Sequence, residues 1–215
     1  MQNEFYEALR IAYKEKNRLD IGRYSASLIQ YFHRTKALKG KAFYHPLGFI
    51  YCRIHVFKNS ETIRLHIWNK KRWHQKPLMD IHDHYYTVNS YVCRGCIRNN
   101  IYVKSEGSHN YAIYKGEYTS EGDRILRKTK DGIAARLSYF ETFCEGDLYV
   151  ITPEQLHSSY VEEDCFTCTL VYTESPNTPQ PLVLGPEDGD IEYSYLNVVV
   201  EDSIIDDAIA NLQSP

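Results

Sequence analysis

The stretch IHDHYYTVNSYVCRGC, residues 81–96, holds a His-x-His pair, His82 and His84, and nine residues further on a Cys-x-x-Cys pair, Cys93 and Cys96. Both are metal-ligand spacings. On an extended strand residues i and i+2 project to the same face, so His82 and His84 point together and supply two ligands of a facial metal site. Asp80 and Tyr86 share that face, while Asp83 points the other way. A third ligand has to come from a neighbouring strand. Within GDLYVITPEQLHSS, Gly146 ends a turn, Pro153 breaks a short strand, and His157 opens the next one. In a chain with nine histidines the His-x-His pair alone is as easily a coincidence, and His157 is what turns it into a candidate set.

Three imidazoles leave up to three positions open on an octahedral metal. That suits one divalent transition metal, Fe(II) first, with Zn, Ni, Mn or Cu as alternatives. Neutral ligands leave the metal's charge uncompensated, which attracts a small anionic substrate. In ETIRLHIWN, Arg64, His66 and Trp68 alternate onto one face. If that face is inward, Arg64 can clamp a carboxylate and His66 can carry a proton as catalytic groups. If it faces solvent, Leu65 and Ile67 form the core instead. The lone histidines His33, His45, His55, His74 and His109 read as surface or structural residues.

The second cysteine pair, Cys165 and Cys168, completes a CxxC…CxxC set of the kind that builds zinc ribbons. It sits in the alternating run FTCTLVYT, where i and i+3 face opposite ways and no Gly or Pro makes a knuckle. Buried thiols are the preferred reading.

These groups must be positioned by a chain of 215 residues, 43% hydrophobic and 25% charged, sufficient for one domain with a real core. A net charge of -3 and a pI near 6.3 give no global case for nucleic acid, and the cluster Lys70, Lys71, Arg72 reads as a solvated turn. The charged N-terminal segment lacks an apolar h-region, and no run approaches ~18 apolar residues. Neither a leader nor a membrane partner is therefore expected, and the expected compartment is the reducing cytoplasm, with six cysteines as thiols or ligands.

Phe5, Leu9 and Tyr13 recur at helical spacing, and Leu28, Tyr31 and Phe32 share one face of a second helix over about 25–38, with Gly40 as its stop. From His45 to about Thr173 eight or so runs rich in Val, Ile, Thr, Tyr and Phe read as strands, parted by turns at Asn59, Gly107, Asp131, Gly132 and Gly146. Nineteen tyrosines suit half-buried strands and a polar cavity. After prolines 176, 179, 181 and 186, a strand-like YLNVVV leads into a short helix, EDSIIDDAIANL. Residues 1–44 form a helical segment, 45–200 an antiparallel β domain, and 201–215 a terminal helix. A sandwich or barrel is expected.

At His82-x-His84 and at Gly146, Pro153 and His157 the sequence resembles the two motifs of the cupin superfamily, G(x)5HxH(x)3–4E(x)6G and G(x)5PxG(x)2H(x)3N, with Gly95 near the first motif's closing glycine. HPLGF, ETIRLHIWN, the PEQLH turn and LVLGP look like a group of bacterial cupin-like proteins. The resemblance implies a mainly β, antiparallel double-stranded β-helix, the cupin jelly-roll barrel, with a metal near its mouth and a tendency to form homodimers. Seventy-three positions separate His84 from His157, which implies an insertion around 101–140. Asn89 stands where the motif has its carboxylate, and becomes a weak carbonyl ligand or a hydrogen-bond partner for bound water or O2. Tyr91 and Cys93 share its parity, making Tyr91 a candidate catalytic residue. A three-histidine set is also the pattern of thiol dioxygenases, but their Ser-x-His-x-Tyr run is matched here only by Tyr172. The implied activity is a dioxygenase-like mononuclear metal enzyme. The alternatives are a non-catalytic small-molecule-binding or structural cupin with a decayed site, and an interaction module carried by the helical ends.

Overall fold

The computed structural model describes residues 2–69, 79–119, 123–174 and 181–213. The Lys70–Arg72 cluster, His74, Pro176 and Pro179 lie outside the described residues. The chain opens with α1 (Gln2–Lys14) and α2 (Arg18–Thr35) and closes with α3 (Asp202–Asn211). Between them come β1 (Ala42–Tyr44), β2 (Ile50–Val56), β3 (Thr62–Trp68), β4 (Ile81–His82), β5 (Thr87–Arg94), β6 (Cys96–Lys104) and β7 (Tyr111–Tyr118). There follow β8 (Arg124–Ile133), β9 (Ala135–Cys144), β10 (Leu148–Ile151), β11 (His157–Tyr160), β12 (Thr167–Glu174), β13 (Leu182–Gly185) and β14 (Glu192–Tyr195).

The strands form two antiparallel sheets, one in the order β1-β2-β3-β12-β5-β10 and the other β14-β8-β7-β13-β4-β11-β6-β9. Trp68, Val92, Tyr149 and Ile151 of the first sheet pack against Ile97, Ile101 and Val161 from the second, which makes a two-layer sandwich. The closed barrel expected above is not formed among the described residues. Consecutive strands β9 and β10, joined across the Gly146 turn, pair with different sheets (β6 and β5), so no shared ladder closes the edge.

Alternation decides what each sheet face does. On β3 and β12, Ile63, Leu65, Ile67, Cys168, Leu170 and Tyr172 are almost fully buried against Leu9, Tyr13, Ile21, Leu28 and Phe32 of the N-terminal helices. Each such side chain removed from water contributes roughly 1.5–3 kcal/mol. Thr62, Arg64, His66 and Trp68 face the other sheet. With both faces covered, β3 has no solvent face, which settles the two orientations left open for Arg64 and His66.

Several local expectations change. The second helix starts earlier than expected because Asn17 caps it, its side-chain oxygen accepting from the Asp20 amide at 3.2 Å. It ends at left-handed Lys36, whose amide donates to the Phe32 carbonyl, and not at Gly40. Asp131 and Gly132 lie inside β8, where the register with β7 shifts between Ala112 and Tyr114, so the turn signal there marks an irregularity in a strand. YLNVVV is not a strand over most of its length. β14 ends at Tyr195 and only an isolated bridge joins Val199 to Phe43.

The six-thiol expectation is also corrected. Cys96 and Cys144 sit directly opposite each other on β6 and β9 and are joined by a disulfide, leaving Cys52, Cys93, Cys165 and Cys168 as thiols. Gly95 (φ 73°) makes the tight β5–β6 reversal, and a Cβ there would lie 2.3 Å from the Phe166 carbonyl oxygen. Among the described residues no helix is long and apolar enough to cross a membrane.

α1 is fastened to the first sheet by a buried carboxylate. Glu61 accepts from the Tyr172 hydroxyl at 2.6 Å and pairs with Arg10 and Lys14, each at 3.5 Å. Burial alone would raise its pKa, but the Tyr172 hydrogen bond and the two cations outweigh burial and hold it below the usual carboxylate range. Replacing Tyr172 with Phe removes one charge-assisted hydrogen bond while keeping the ring, and should cost about 2 kcal/mol. Urea unfolding should show a lower midpoint at an unchanged slope.

Candidate metal centre

β4 and β11 are neighbouring antiparallel strands, and their register sets His157 directly opposite His82. His84 follows two residues on, and its carbonyl accepts from the Glu154 amide at 3.0 Å, tying the two histidine-bearing segments together. The turn that makes this contact has Glu154 in the left-handed region at φ 63°, a conformation that is strained for a side-chain-bearing residue. Pro153-Glu154-Gln155 therefore makes the reversal without the glycine of the motif.

The outcome is a cluster in which one ligand atom from each of His82, His84 and His157 lies within 4.8 Å of the others. Ring centroids are 4.4 Å apart for His82 and His157, 4.8 Å for His82 and His84, and 5.0 Å for His84 and His157. Two of the rings are oriented by the backbone: Nδ1 of His82 meets the Asp80 carbonyl at 2.9 Å, and Nδ1 of His157 meets the Gln155 carbonyl at 3.0 Å. A carbonyl only accepts, so Nδ1 carries the proton in both and Nε2 keeps its lone pair for a metal. His84 is held differently, its ring stacked on Tyr86 with centroids 4.9 Å apart and planes 16° from parallel.

All three histidines are held neutral. Burial lowers His82 and His84 well below the ordinary imidazole range, with mutual repulsion adding to it, and burial brings His157 down to about 4. A neutral imidazole is the ligating form, so the electrostatics and the orientation agree.

The cluster opens into a cavity of about 700 Å³ between the sheets, within the size range of small-molecule sites. Arg64, His66 and Trp68 line it, together with Tyr51, Tyr86, Val88 and Tyr149. Arg64 donates from Nε to the Thr62 hydroxyl at 2.7 Å and from Nη1 to the Tyr86 hydroxyl at 3.1 Å. His66 is pushed down to about 3, by burial first and then by Arg64. At neutral pH it is an uncharged hydrogen-bonding group in the empty cavity.

The chain matches no protein-family model and no curated protein. The site is therefore read from its own geometry.

That geometry also corrects two assignments. Asn89 and Tyr91 pair with Tyr172 and Leu170, residues of the helix-facing side of β12, and so lie on the face of β5 away from the histidines. Asn89 is buried there and donates to Glu174 at 3.4 Å. Tyr91 lies beneath α2, so close that a Cβ on Gly22 would meet its hydroxyl at 2.6 Å. Neither can touch a metal held by the three histidines. Val88, one residue earlier, faces the cavity where Asn89 was expected to stand. His45, read as surface or structural, makes structural contacts, its Nδ1 accepting from the Leu47 amide at 3.2 Å and its ring stacked on Phe49 at 4.3 Å, and it also lines the cavity. The β1–β2 turn brings it there through the His45 amide donating to Phe49 and the Gly48 amide donating to His45.

Histidines that refuse protons when folded bind them when unfolded, so the metal-free protein should lose stability in acid. Above pH 6.5 they contribute nothing. The loss grows as the pH falls from 6.5 towards about 4 for His157 and about 3 for His66, and is complete below those values. The slope is up to about 1.4 kcal/mol per pH unit for each such residue. His66→Gln should make the pH dependence shallower by about one proton between pH 4 and 6, read from unfolding midpoints across that range.

Proposed function

We propose that the chain is a cupin whose His82, His84 and His157 hold one divalent transition metal, and that it acts on a small anionic substrate as a dioxygenase-like enzyme with Fe(II). The observation that carries this reading is the convergence of three neutral imidazoles, two with Nδ1 anchored to backbone carbonyls, at a cavity of substrate size. A chance meeting of histidines would need neither the shared tautomer nor the open volume beside it.

Strand order supports the jelly-roll assignment. β3-β12-β5-β10 faces β4-β11-β6-β9, the eight-stranded, two-sheet arrangement of that fold, and β7 and β8 form an added hairpin that accounts for the long separation of His84 from His157. The donor set fits a borderline metal: three imidazole nitrogens, no thiolate in the cluster, and no carboxylate in it. When bound, such a metal supplies Lewis acidity and, as Fe(II), the electrons for reducing O2.

The residues around it do the rest. Val88, Phe49, Trp68 and Ile151 give the cavity apolar walls, which strengthens the pull of its cations on an anion. The Asp80 and Gln155 carbonyls fix the ring planes of His82 and His157. Arg64 is cationic at any working pH and, with Arg53 and Arg124, outnumbers the two carboxylates, Asp80 and Asp83, that line the cavity.

A non-catalytic, small-molecule-binding cupin is the second reading, and one observation favours it. His45 and His66 are held neutral by burial, so neither is poised near neutrality to exchange a proton.

Elemental analysis of protein purified without added metal decides the first point. A single equivalent of a transition metal is expected, lost in His82→Ala and His157→Ala. The loss of affinity in each should exceed the ~100-fold typical of losing only an outer hydrogen-bond partner. Negligible metal with no uptake on adding Fe(II) or Zn(II) would end the metal reading. Metal-dependent consumption of O2 with any substrate would remove the non-catalytic one.

A further inference from the structure

We infer that the cavity binds an aromatic monocarboxylate, with Arg64 as the carboxylate anchor and the ring-lined wall of the first sheet as the site of its aromatic part. This deepens the metal-enzyme reading by naming the substrate class and rests on it only for the reaction, since the anchor and the wall exist without the metal.

The anchor follows from a donor count. A guanidinium has five N–H groups. Arg64 uses Nε–H on Thr62 and one Nη1–H on Tyr86, and it has no carboxylate partner among the described residues. Three N–H groups remain, including one on each terminal nitrogen, which is the paired edge that receives both oxygens of a carboxylate. Its charge is held in place from two sides, 5.1 Å from the Tyr86 ring centroid and 5.9 Å from that of Tyr51. A buried cation this firmly positioned and without a counter-charge is completed by an anion from solution. Arg53 and Arg124 also line the cavity, but it is the paired N–H edge of Arg64 that matches the two oxygens of a carboxylate, and phosphate is the competing anion that the test below includes.

The rest of the ligand is specified by the wall. Phe49 packs against His66 at 4.7 Å and against Trp68 at 4.9 Å, both at 34°, and these three rings form one continuous surface with Tyr51. Such a surface rewards a flat ring through offset or edge contacts more than a flexible chain of equal area. Burial keeps His66 uncharged within it. Tyr86 joins the two halves of the site, its hydroxyl oxygen accepting from Arg64 while its ring stacks on His84. The carboxylate anchor is therefore one side chain away from a metal ligand.

Isothermal titration with 2-naphthoate, benzoate, acetate, inorganic phosphate and 2-naphthalenemethanol tests the inference on the full chain, both metal-free and loaded with Zn(II). One naphthoate per chain is expected, bound at least ~30-fold more tightly than acetate or phosphate. Arg64→Gln should weaken naphthoate by about 30-fold or more while leaving the alcohol within about threefold. Phe49→Leu, which keeps the charge, should weaken naphthoate and leave acetate unchanged. Acetate or phosphate binding as tightly as naphthoate overturns the inference without any variant, so a misfolded Arg64→Gln cannot protect it. Zn(II) uptake without naphthoate binding overturns this inference and leaves the metal site standing. Naphthoate binding without metal uptake does the reverse.

Discussion

The pairing of β4 with β11 is the constraint on which the site depends. It is short, a single residue pair in the ladder, yet that pair is His157 opposite His82. Because side chains alternate with period two, a slip of one residue would send His157 to the far side of its sheet. The slip is opposed from three directions. β11 is pinned on its other edge by four register pairs to β6, β4 is flanked by β13, and the Glu154 amide is bonded to the His84 carbonyl. A two-residue strand thus holds a precise geometry because its neighbours leave it no alternative.

The same packing produces the electrostatics. β3 and β12 are covered on one face by the N-terminal helices and on the other by the second sheet, so whatever they carry inward is desolvated. Threonines tolerate that by hydrogen bonding, as Thr62 does with Thr173 at 2.6 Å. Imidazoles tolerate it by giving up their protons. Arginine cannot, and Arg64 instead keeps its charge between two tyrosine rings. The contrast between neutral histidines and a cationic Arg64 in the same cavity follows from these intrinsic pKa values.

The three histidines were legible in the sequence because the signal needed only strand alternation and one Pro-marked turn. The two-sheet, mainly β architecture was legible from the aromatic and β-branched runs. What escaped had no local signal. β8 is rich in Arg, Lys and Asp and looks like a loop, because its exposed face has no need of apolar residues. β4 and β11 are too short to show a period. The Cys96–Cys144 bond joins residues 48 apart and follows from the β6–β9 register, which the CxxC spacing conceals. Asn89 was placed by motif spacing, which allows position 88 or 89. Alternation along β5 decides between them, with Val88 and Ser90 inward and Asn89 and Tyr91 towards the helices.

Val88 and Arg64 are two sides of one arrangement. A carboxylate at position 88 would face the same cavity as the histidines and the guanidinium, and would offset part of the positive charge of either Arg64 or a bound divalent ion. With valine there, position 88 offsets the charge of neither Arg64 nor a divalent ion held by the histidines, and beside low-dielectric protein walls attraction between unlike charges is stronger than in bulk water. Repulsion between the two cations then works against occupying the metal position alone. An anion lying between them relieves that repulsion and pairs with both. Metal and anion should accordingly favour each other's binding, and by linkage the favour is mutual and equal in size. On the proposed reading the three histidines supply the ligands and Arg64 the anchor, and the incoming anion adds negative charge to that of Asp80 and Asp83.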